Sequence, residues 1–188
     1  MKKALALAMV LAPLAIACGK PYQVVKFATP NPFVKPGCKL AVEEIHYDKL
    51  MVGDKTVPQY LSEKKDSSQD SFQQDLVDSS GRFVERVKSD NVAITLPGGA
   101  APDNTFILRA FMTEWEPGFY AYVASHKAEM NIVVDVVDGG GNILDEIIVR
   151  GAVGAGMEGS GSRMRSLAER LGHAVHSYVT DRWMCAPH

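Results

Sequence analysis

Two alternating strands joined by a short loop constrain the fold of this chain more than any other feature. Residues 128–137 carry apolar side chains at every second position, at Met130, Ile132, Val134 and Val136. Residues 138–142 read Asp-Gly-Gly-Gly-Asn, a composition typical of a hairpin turn, and a second strand is predicted over 143–153. Strands joined by so short a loop pair antiparallel. The pattern therefore predicts an antiparallel sheet with one apolar face.

Two amphipathic helices are predicted to cover that face. Phe72, Leu76, Phe83 and Val87 form one stripe at helical spacing and predict a helix over 68–88. A clearer stripe predicts a second helix that begins at Ser160 or Ser162 and ends near Arg182. Its members are Met164, Leu167, Leu171, Val175 and Tyr178. Further strands are predicted at 38–47, 92–96 and 105–115. The order β-α-β-β-β-β-α predicts an α+β fold, an antiparallel sheet with helices packed on one face.

The first eighteen residues have the pattern of an export signal. Lys2 and Lys3 precede an uncharged apolar stretch that ends at Ala17, and Cys18 follows directly. The stretch is shorter than the about 20 apolar residues that a spanning helix needs. No later apolar run in the sequence reaches that length.

This segment resembles the lipobox of bacterial lipoproteins, although Ala15 stands where that family usually has leucine. The resemblance implies that a signal peptide, residues 1–17, is removed and that Cys18 receives a diacylglyceryl group and an acyl chain. The bilayer would then be a partner through acylated Cys18. Because Gly19 is not aspartate, the family's sorting rule favours the outer membrane, facing the periplasm. The alternative is a conventional signal, cut after Ala15 or Ala17, that leaves an ordinary thiol.

The remaining cysteines and prolines suggest how the mature chain is organised. If Cys18 carries lipid, Cys38 and Cys185 are left as an even number in an oxidising compartment, which predicts a disulfide between them. The alternative is two free thiols. Four prolines lie in residues 19–37, so residues 18–37 are expected to form the lipidated cysteine and an extended tether, with only a weak strand signal at 23–27. Residues 38–188 are expected to form a single domain.

The C-terminal half is similar to a second family, a domain of unknown function found in bacterial lipoproteins. The similarity spans about residues 92–183 and lies in Glu114-x-Glu116-Pro117-Gly118, a strand ending in Val-Val-Asp138, Ile143-Leu144 and the terminal helix. It is more distantly similar to auxiliary lipoproteins of envelope transport and assembly systems. The resemblance implies a fold and a location and brings no catalytic residues.

Two motifs could carry chemistry, and neither is expected to do so. Residues 154–159 match Gly-x-Gly-x-x-Gly but lack the parallel βαβ unit that a dinucleotide site requires. Glu169, His173 and His176 could ligate zinc, but nothing else converges on them in sequence, and a solvated helix face is the better interpretation. No catalytic residue, metal site or cofactor is predicted. The net charge of −2 gives no basic surplus for nucleic acid.

An aromatic cluster is the favoured binding site. Trp115, Phe119, Tyr120 and Tyr122 fall within eight residues at a connection between strands, and Trp and Tyr are common anchors of protein interfaces. The alternative is that these rings simply cover the edge of the sheet. We expect a non-enzymatic binding or accessory module of an envelope assembly or transport system, with an envelope protein as partner. The rival expectations are a lipid or small-ligand carrier and a hydrolase that acts on envelope substrates.

Overall fold

The computed structural model describes residues 20–30, 32–35, 37–88, 92–94, 104–121, 124–154, 156 and 158–185. Its strands are β1 (Gln23–Phe27), β2 (Phe33–Val34), β3 (Lys39–Val42), β4 (Met51–Val52), β5 (Lys55–Thr56), β6 (Val92–Ile94), β7 (Thr105–Glu116), β8 (Phe119–Ala121), β9 (Ala124–His126), β10 (Ala128–Val137), β11 (Ile143–Val153) and β12 (Trp183–Met184). Its helices are α1 (Val57–Ser62), α2 (Asp66–Val87) and α3 (Ser160–Arg182).

The main sheet has the strand order β1-β11-β10-β7-β3-β6, with β4 and β5 attached beside β7. Strands β1, β11, β10 and β7 pair antiparallel, as the short hairpin loop predicts. In contrast, β3 pairs parallel with both β6 and β7. The α+β prediction is confirmed, and the parallel pairs are a departure from a purely antiparallel sheet. They arise because the chain leaves β3, passes through α1 and α2, and returns to the sheet in the same direction.

The helices cover one face of the sheet, where the core lies. Helix α3 packs across β10 and β11, and α2 packs against α3. The predicted stripes of both helices are buried, as are the alternating side chains of β7 and β10. The two helices approach closely at Gly172, where an added Cβ would lie 2.6 Å from the carbonyl oxygen of Phe83. Glycine is required there because any side chain would push the helices apart.

Part of the segment that was expected to form a tether, residues 18–37, is docked on the folded domain. Strand β1 pairs antiparallel with β11 at the edge of the main sheet, and β2 pairs with β12. The Tyr22 side chain is buried, with its ring edge-on to Tyr178 at 5.3 Å. Prolines are tolerated beside strands at a sheet edge, so the proline-rich sequence does not prevent this docking. Among the described residues, no helix is both long and apolar enough to cross a membrane.

Candidate docking surface and anchor region

The predicted aromatic site maps onto a small hairpin beyond the end of β7. Strands β8 and β9 pair antiparallel after the turn at Pro117 and Gly118, and we call residues 117–121 and 124–126 the aromatic hairpin. Phe119 is 53% and Tyr120 55% exposed. The Phe119 ring stacks on His126 at 6.1 Å. Tyr122 lies outside the described residues. The hairpin therefore presents two aromatic side chains to the surroundings.

A buried arginine holds the base of the aromatic hairpin. Arg163, in the first turn of α3, donates from Nη2 to the carbonyl oxygen of Pro117 at 3.0 Å. Its Nη1 donates to the carbonyl oxygens of Gly156 and Glu158. The same guanidinium thus joins the hairpin to the glycine-rich segment before α3. Sequence reasoning did not identify Arg163, and the one available signal was a cation beside the stripe residue Met164.

The turn that leads from β7 into the aromatic hairpin depends on a glycine. Gly118 has φ of +63°, and a Cβ at this position would lie 2.5 Å from the carbonyl oxygen of His126. Both its backbone angle and the close approach of the returning strand exclude a side chain. Its N–H donates to Oε1 of Glu116 at 3.0 Å. The orientation of the hairpin is therefore set locally as well as by Arg163.

Trp115, which was predicted to belong to the docking site, is a core residue. Its side chain is only 2% exposed and meets Phe72 edge-to-face, with ring centroids 5.9 Å apart. The reason is a β-bulge: Met112 pairs with Ile132 and Glu114 with Asn131, so β7 has one extra residue at Thr113. The bulge reverses the phase of the strand. Trp115 consequently points to the helix side, and its side chain is absent from the exposed surface.

A cleft opens beside Trp115, between α1, α2 and the start of α3. Its volume is about 410 Å³, and its walls include Tyr60, Lys64 and three serines of α2. Asp75, which also lines it, pairs with Arg165 at 2.7 Å. The cleft is polar and open. It does not have the dry apolar lining that a lipid carrier requires.

The N-terminal segment is fixed by a buried charge network that sequence reasoning also missed. Arg182 donates to both carboxylate oxygens of Asp145, from Nε at 2.6 Å and from Nη2 at 3.0 Å. Arg182 Nη2 also donates to the Thr29 carbonyl oxygen at 3.0 Å, and its guanidinium lies 3.5 Å over the Phe27 ring. Tyr178 completes the network, donating to Asp145 at 2.8 Å. Burial raises the pKa of the Tyr178 hydroxyl further above neutral pH, where it is a donor in any case.

The sequence held one signal for this network. Asp145 falls on the same strand face as Ile147 and Val149, which are buried. A carboxylate on an apolar face requires a partner, because an unpaired buried charge is costly. The partner, Arg182, is the last residue of the predicted terminal helix. Periodicity alone does not say which distant cation reaches the carboxylate.

Cys38 and Cys185 are joined by a disulfide in the structure, with Cα atoms 4.9 Å apart. The bond links the residue before β3 to the residue after β12, and both cysteines are buried. This is compatible with the predicted pairing.

The sheet face without helices carries charged side chains in register. Arg109 on β7 donates from Nε to Oε2 of Glu43 at 2.9 Å, and His46 Nε2 lies 3.1 Å from the same oxygen. Burial raises the pKa of Glu43, but these hydrogen bonds outweigh it and lower the pKa overall. Asp135 on β10 pairs in register with Arg109 and is buried with Oδ1 unbonded. Burial, with repulsion from Glu146, raises the pKa of Asp135.

The histidine group around Glu169 and the glycine motif at 154–159 both contact neighbouring elements of the fold. Glu169 forms ion pairs with Arg86 and Arg82 of α2. Within the described ranges, no three His, Cys, Asp or Glu side chains are grouped as a metal ion would need. The glycine motif lies between β11 and the last helix, next to a hairpin strand, and Arg163 donates to its Gly156 and Glu158 carbonyl oxygens.

Comparisons with known proteins do not assign this chain to a family. No protein-family model matches it, and no curated protein is significantly similar to it. Among solved structures, it is similar to PelC of the PelC dodecamer from Paraburkholderia phytofirmans, with 13% identity, a TM-score of 0.45, and 82% of this chain and 97% of that chain covered. It is also similar to protein XCC0632 from Xanthomonas campestris, of family DUF330, with 9% identity, a TM-score of 0.44, and 84% and 93% covered. At TM-scores below 0.5, we base no functional argument on these similarities.

Proposed function

We propose that this protein is a lipoprotein, anchored through acylated Cys18, that acts without catalysis as a binding module of an envelope assembly or transport system. Its proposed location is the periplasmic face of the outer membrane, and its proposed partner is another envelope protein. The observation that carries the binding role is the aromatic hairpin. Two rings, Phe119 and Tyr120, are exposed by about half on a hairpin whose base is held by buried Arg163.

The contacts that hold the hairpin in place favour docking over simple covering of the sheet edge. A side chain that is already fixed loses less conformational entropy when a partner binds. Phe119 stacks on His126, and Gly118 and Arg163 fix the turn. Tyr120 can then bury its ring and retain a hydrogen bond through its hydroxyl, a combination that makes tyrosine a frequent interface anchor.

The anchor rests on the sequence of the first eighteen residues, and the fold is consistent with it. The buried disulfide suits an oxidising compartment such as the periplasm. The first described residue, Lys20, is two residues after Cys18, and Tyr22 is already buried in the domain. An acyl group on Cys18 would therefore hold the folded domain close to the bilayer.

Two measurements test the two parts of this proposal. Intact mass of the purified full chain should show loss of residues 1–17 and acyl groups on Cys18, and Cys18→Ser should leave the membrane fraction. For docking, crosslinking in intact cells should capture an envelope protein with the wild type and lose it with Phe119→Ala plus Tyr120→Ala.

Val77→Ala, on the exposed surface of α2, is the matched control because Val77 is 63% exposed and lies beside Tyr47 and Glu85 and not beside the hairpin. Crosslinks that persist in the double alanine variant, with unchanged circular dichroism, would refute the docking role. Unmodified Cys18 in a chain from which the signal has been cut would refute the anchor.

A further inference from the structure

The outer edge of the main sheet carries exposed apolar side chains on both of its faces. Val24, Val25 and Phe27 on β1 are 42%, 50% and 37% exposed, and Ile143 at the start of the paired strand β11 is 38% exposed. We call these four residues the β1 edge. Phe27 lies on the helix side and Ile143 on the other face, so together they line the rim of the sheet and not one of its faces. Among the described residues, β1 pairs only with β11 and stands at the end of the strand order.

The distance along the chain from Cys18 determines what can reach this edge. Only four peptide units separate Cys18 from Tyr22, whose side chain is buried. At a maximum of about 3.6 Å per residue, that stretch spans at most about 14 Å. Val24 and Val25 follow within three residues of Tyr22. An acyl group on Cys18 would thus place the β1 edge next to the lipid headgroups.

The charges along the edge suit a bilayer surface. Lys20 lies with Nζ 5.4 Å from the ring centre of Tyr22, and Lys26 donates from Nζ to the carbonyl oxygen of Ile143 at 2.7 Å. Lysines whose stems lie along apolar side chains while their amines face headgroups are typical of membrane interfaces. In the proposed orientation the Lys20 amine would face anionic phosphate groups, whereas the Lys26 amine is bonded to the start of β11.

We infer that the β1 edge rests on the bilayer, so that the lipid surface itself orients this protein. The inference rests on the proposed acylation of Cys18 and adds to it a defined membrane-facing side. The lipid group supplies affinity, and the β1 edge fixes which way the domain faces. Because β1 and β3 lie on opposite sides of the sheet order, α2 and the Glu44–Tyr47 segment are directed away from the bilayer.

The test places a tryptophan on the edge and a matched one away from it. Full-length acylated Val25→Trp and Val77→Trp are each reconstituted into vesicles of phosphatidylethanolamine and phosphatidylglycerol, with or without brominated acyl chains. The two native tryptophans are buried and give a common background. Brominated lipid should quench about half of the added Val25→Trp emission, because interfacial side chains lie roughly 5–10 Å into the headgroup and acyl boundary. Val77→Trp emission should be unchanged.

Intact mass separates failure of the anchor from failure of the edge. If Cys18 is acylated and Val25→Trp is quenched no more than Val77→Trp, the β1 edge does not face the bilayer, and the inference is overturned while the anchor stands. A tryptophan at position 25 that is blue-shifted but not quenched would show that a second copy pairs with β1 instead. An unmodified Cys18 would overturn both proposals.

Discussion

Arg182 and Asp145 form a bidentate ion pair in which both side chains are almost completely buried, with Nε–Oδ2 and Nη2–Oδ1 distances of 2.6 and 3.0 Å. The pair joins the end of α3 to β11, and through Thr29 it also holds the segment that follows β1. One network therefore connects the terminal helix, the sheet and the N-terminal segment. This connection makes the segment after Cys18 part of the folded domain.

We expect Asp145→Asn to destabilise the protein by about 3–5 kcal/mol, because it leaves the Arg182 charge buried without its counter-ion. Chemical denaturation followed by circular dichroism measures the loss. The matched control is Glu169→Gln, which removes the more exposed pair with Arg86 and should cost no more than about 1 kcal/mol. Equal effects of the two changes would show that the buried pair is not a main support of the fold.

The disulfide should raise the free energy of unfolding by a comparable amount, because it restricts the unfolded chain. Cys38 and Cys185 are 147 residues apart, and closing a loop of that length is worth on the order of 5 kcal/mol in the chain-entropy model. We expect Cys38→Ser plus Cys185→Ser to lower the free energy of unfolding by an amount of this order. Adding reductant should lower the stability of the wild type similarly and leave the double variant unchanged. Labelling of both cysteines by a thiol reagent in the unreduced native protein would contradict the bond.

The segments with strong periodicity were predictable, and those fixed by distant contacts were not. Both helices and the strands β10 and β11 appear close to their predicted positions because their apolar spacing is local information. Strand β1 was only weakly indicated because its pairing with β11 joins residues more than a hundred positions apart. For Trp115, the bulge at Thr113 moves the side chain to the other face of the strand, and simple alternation does not reveal the bulge. Arg163 and Arg182 were missed because the atoms that they bind come from several separate segments.

Gly118, in the turn that leads into the aromatic hairpin, offers a prediction with a matched control. Gly118→Ala should destabilise the aromatic hairpin, because alanine costs roughly 1–2 kcal/mol at positive φ and its Cβ would also collide with the His126 carbonyl. Gly139→Ala, in the loop before β11, has no atom within 4 Å of the added Cβ and should be nearly neutral. Amide hydrogen exchange of residues 119–121 and 124–126 should accelerate in the first variant alone. Unaltered exchange there would mean that Gly118 does not determine the hairpin conformation.

Substitutions at Trp115 and Tyr120 should distinguish a side chain that stabilises the fold from one that is available for docking. Trp115→Ala removes a buried ring that contacts Phe72 and should cost about 3–5 kcal/mol. Tyr120→Ala changes an exposed side chain and should alter stability by no more than about 0.5 kcal/mol. Thermal denaturation measures both. A stable Trp115→Ala variant would contradict the core position of this side chain.

Asp135 should make stability depend on pH in a direction opposite to that of Glu43. Because burial and Glu146 raise the folded-state pKa of Asp135 above 3.8, the native state binds this proton more readily than the unfolded state does. Asp135 therefore lowers stability as the pH rises from about 4 through its folded pKa. Glu43, whose folded pKa is lowered below 4.5, contributes stability above that value that is lost as the pH falls through its folded pKa.

The substitution Asp135→Asn should consequently raise the free energy of unfolding at pH 7 and leave it nearly unchanged at pH 3, because the asparagine amide resembles the protonated acid at both pH values. Urea denaturation at a series of pH values between 3 and 7 measures the difference. Glu43→Gln is the control with the opposite sign. It removes the charged carboxylate that accepts the hydrogen bond from Arg109, so it should reduce stability at pH 7. If Asp135→Asn is instead less stable at pH 7, the attraction of the carboxylate to Arg109, Lys49 and Lys26 outweighs its desolvation.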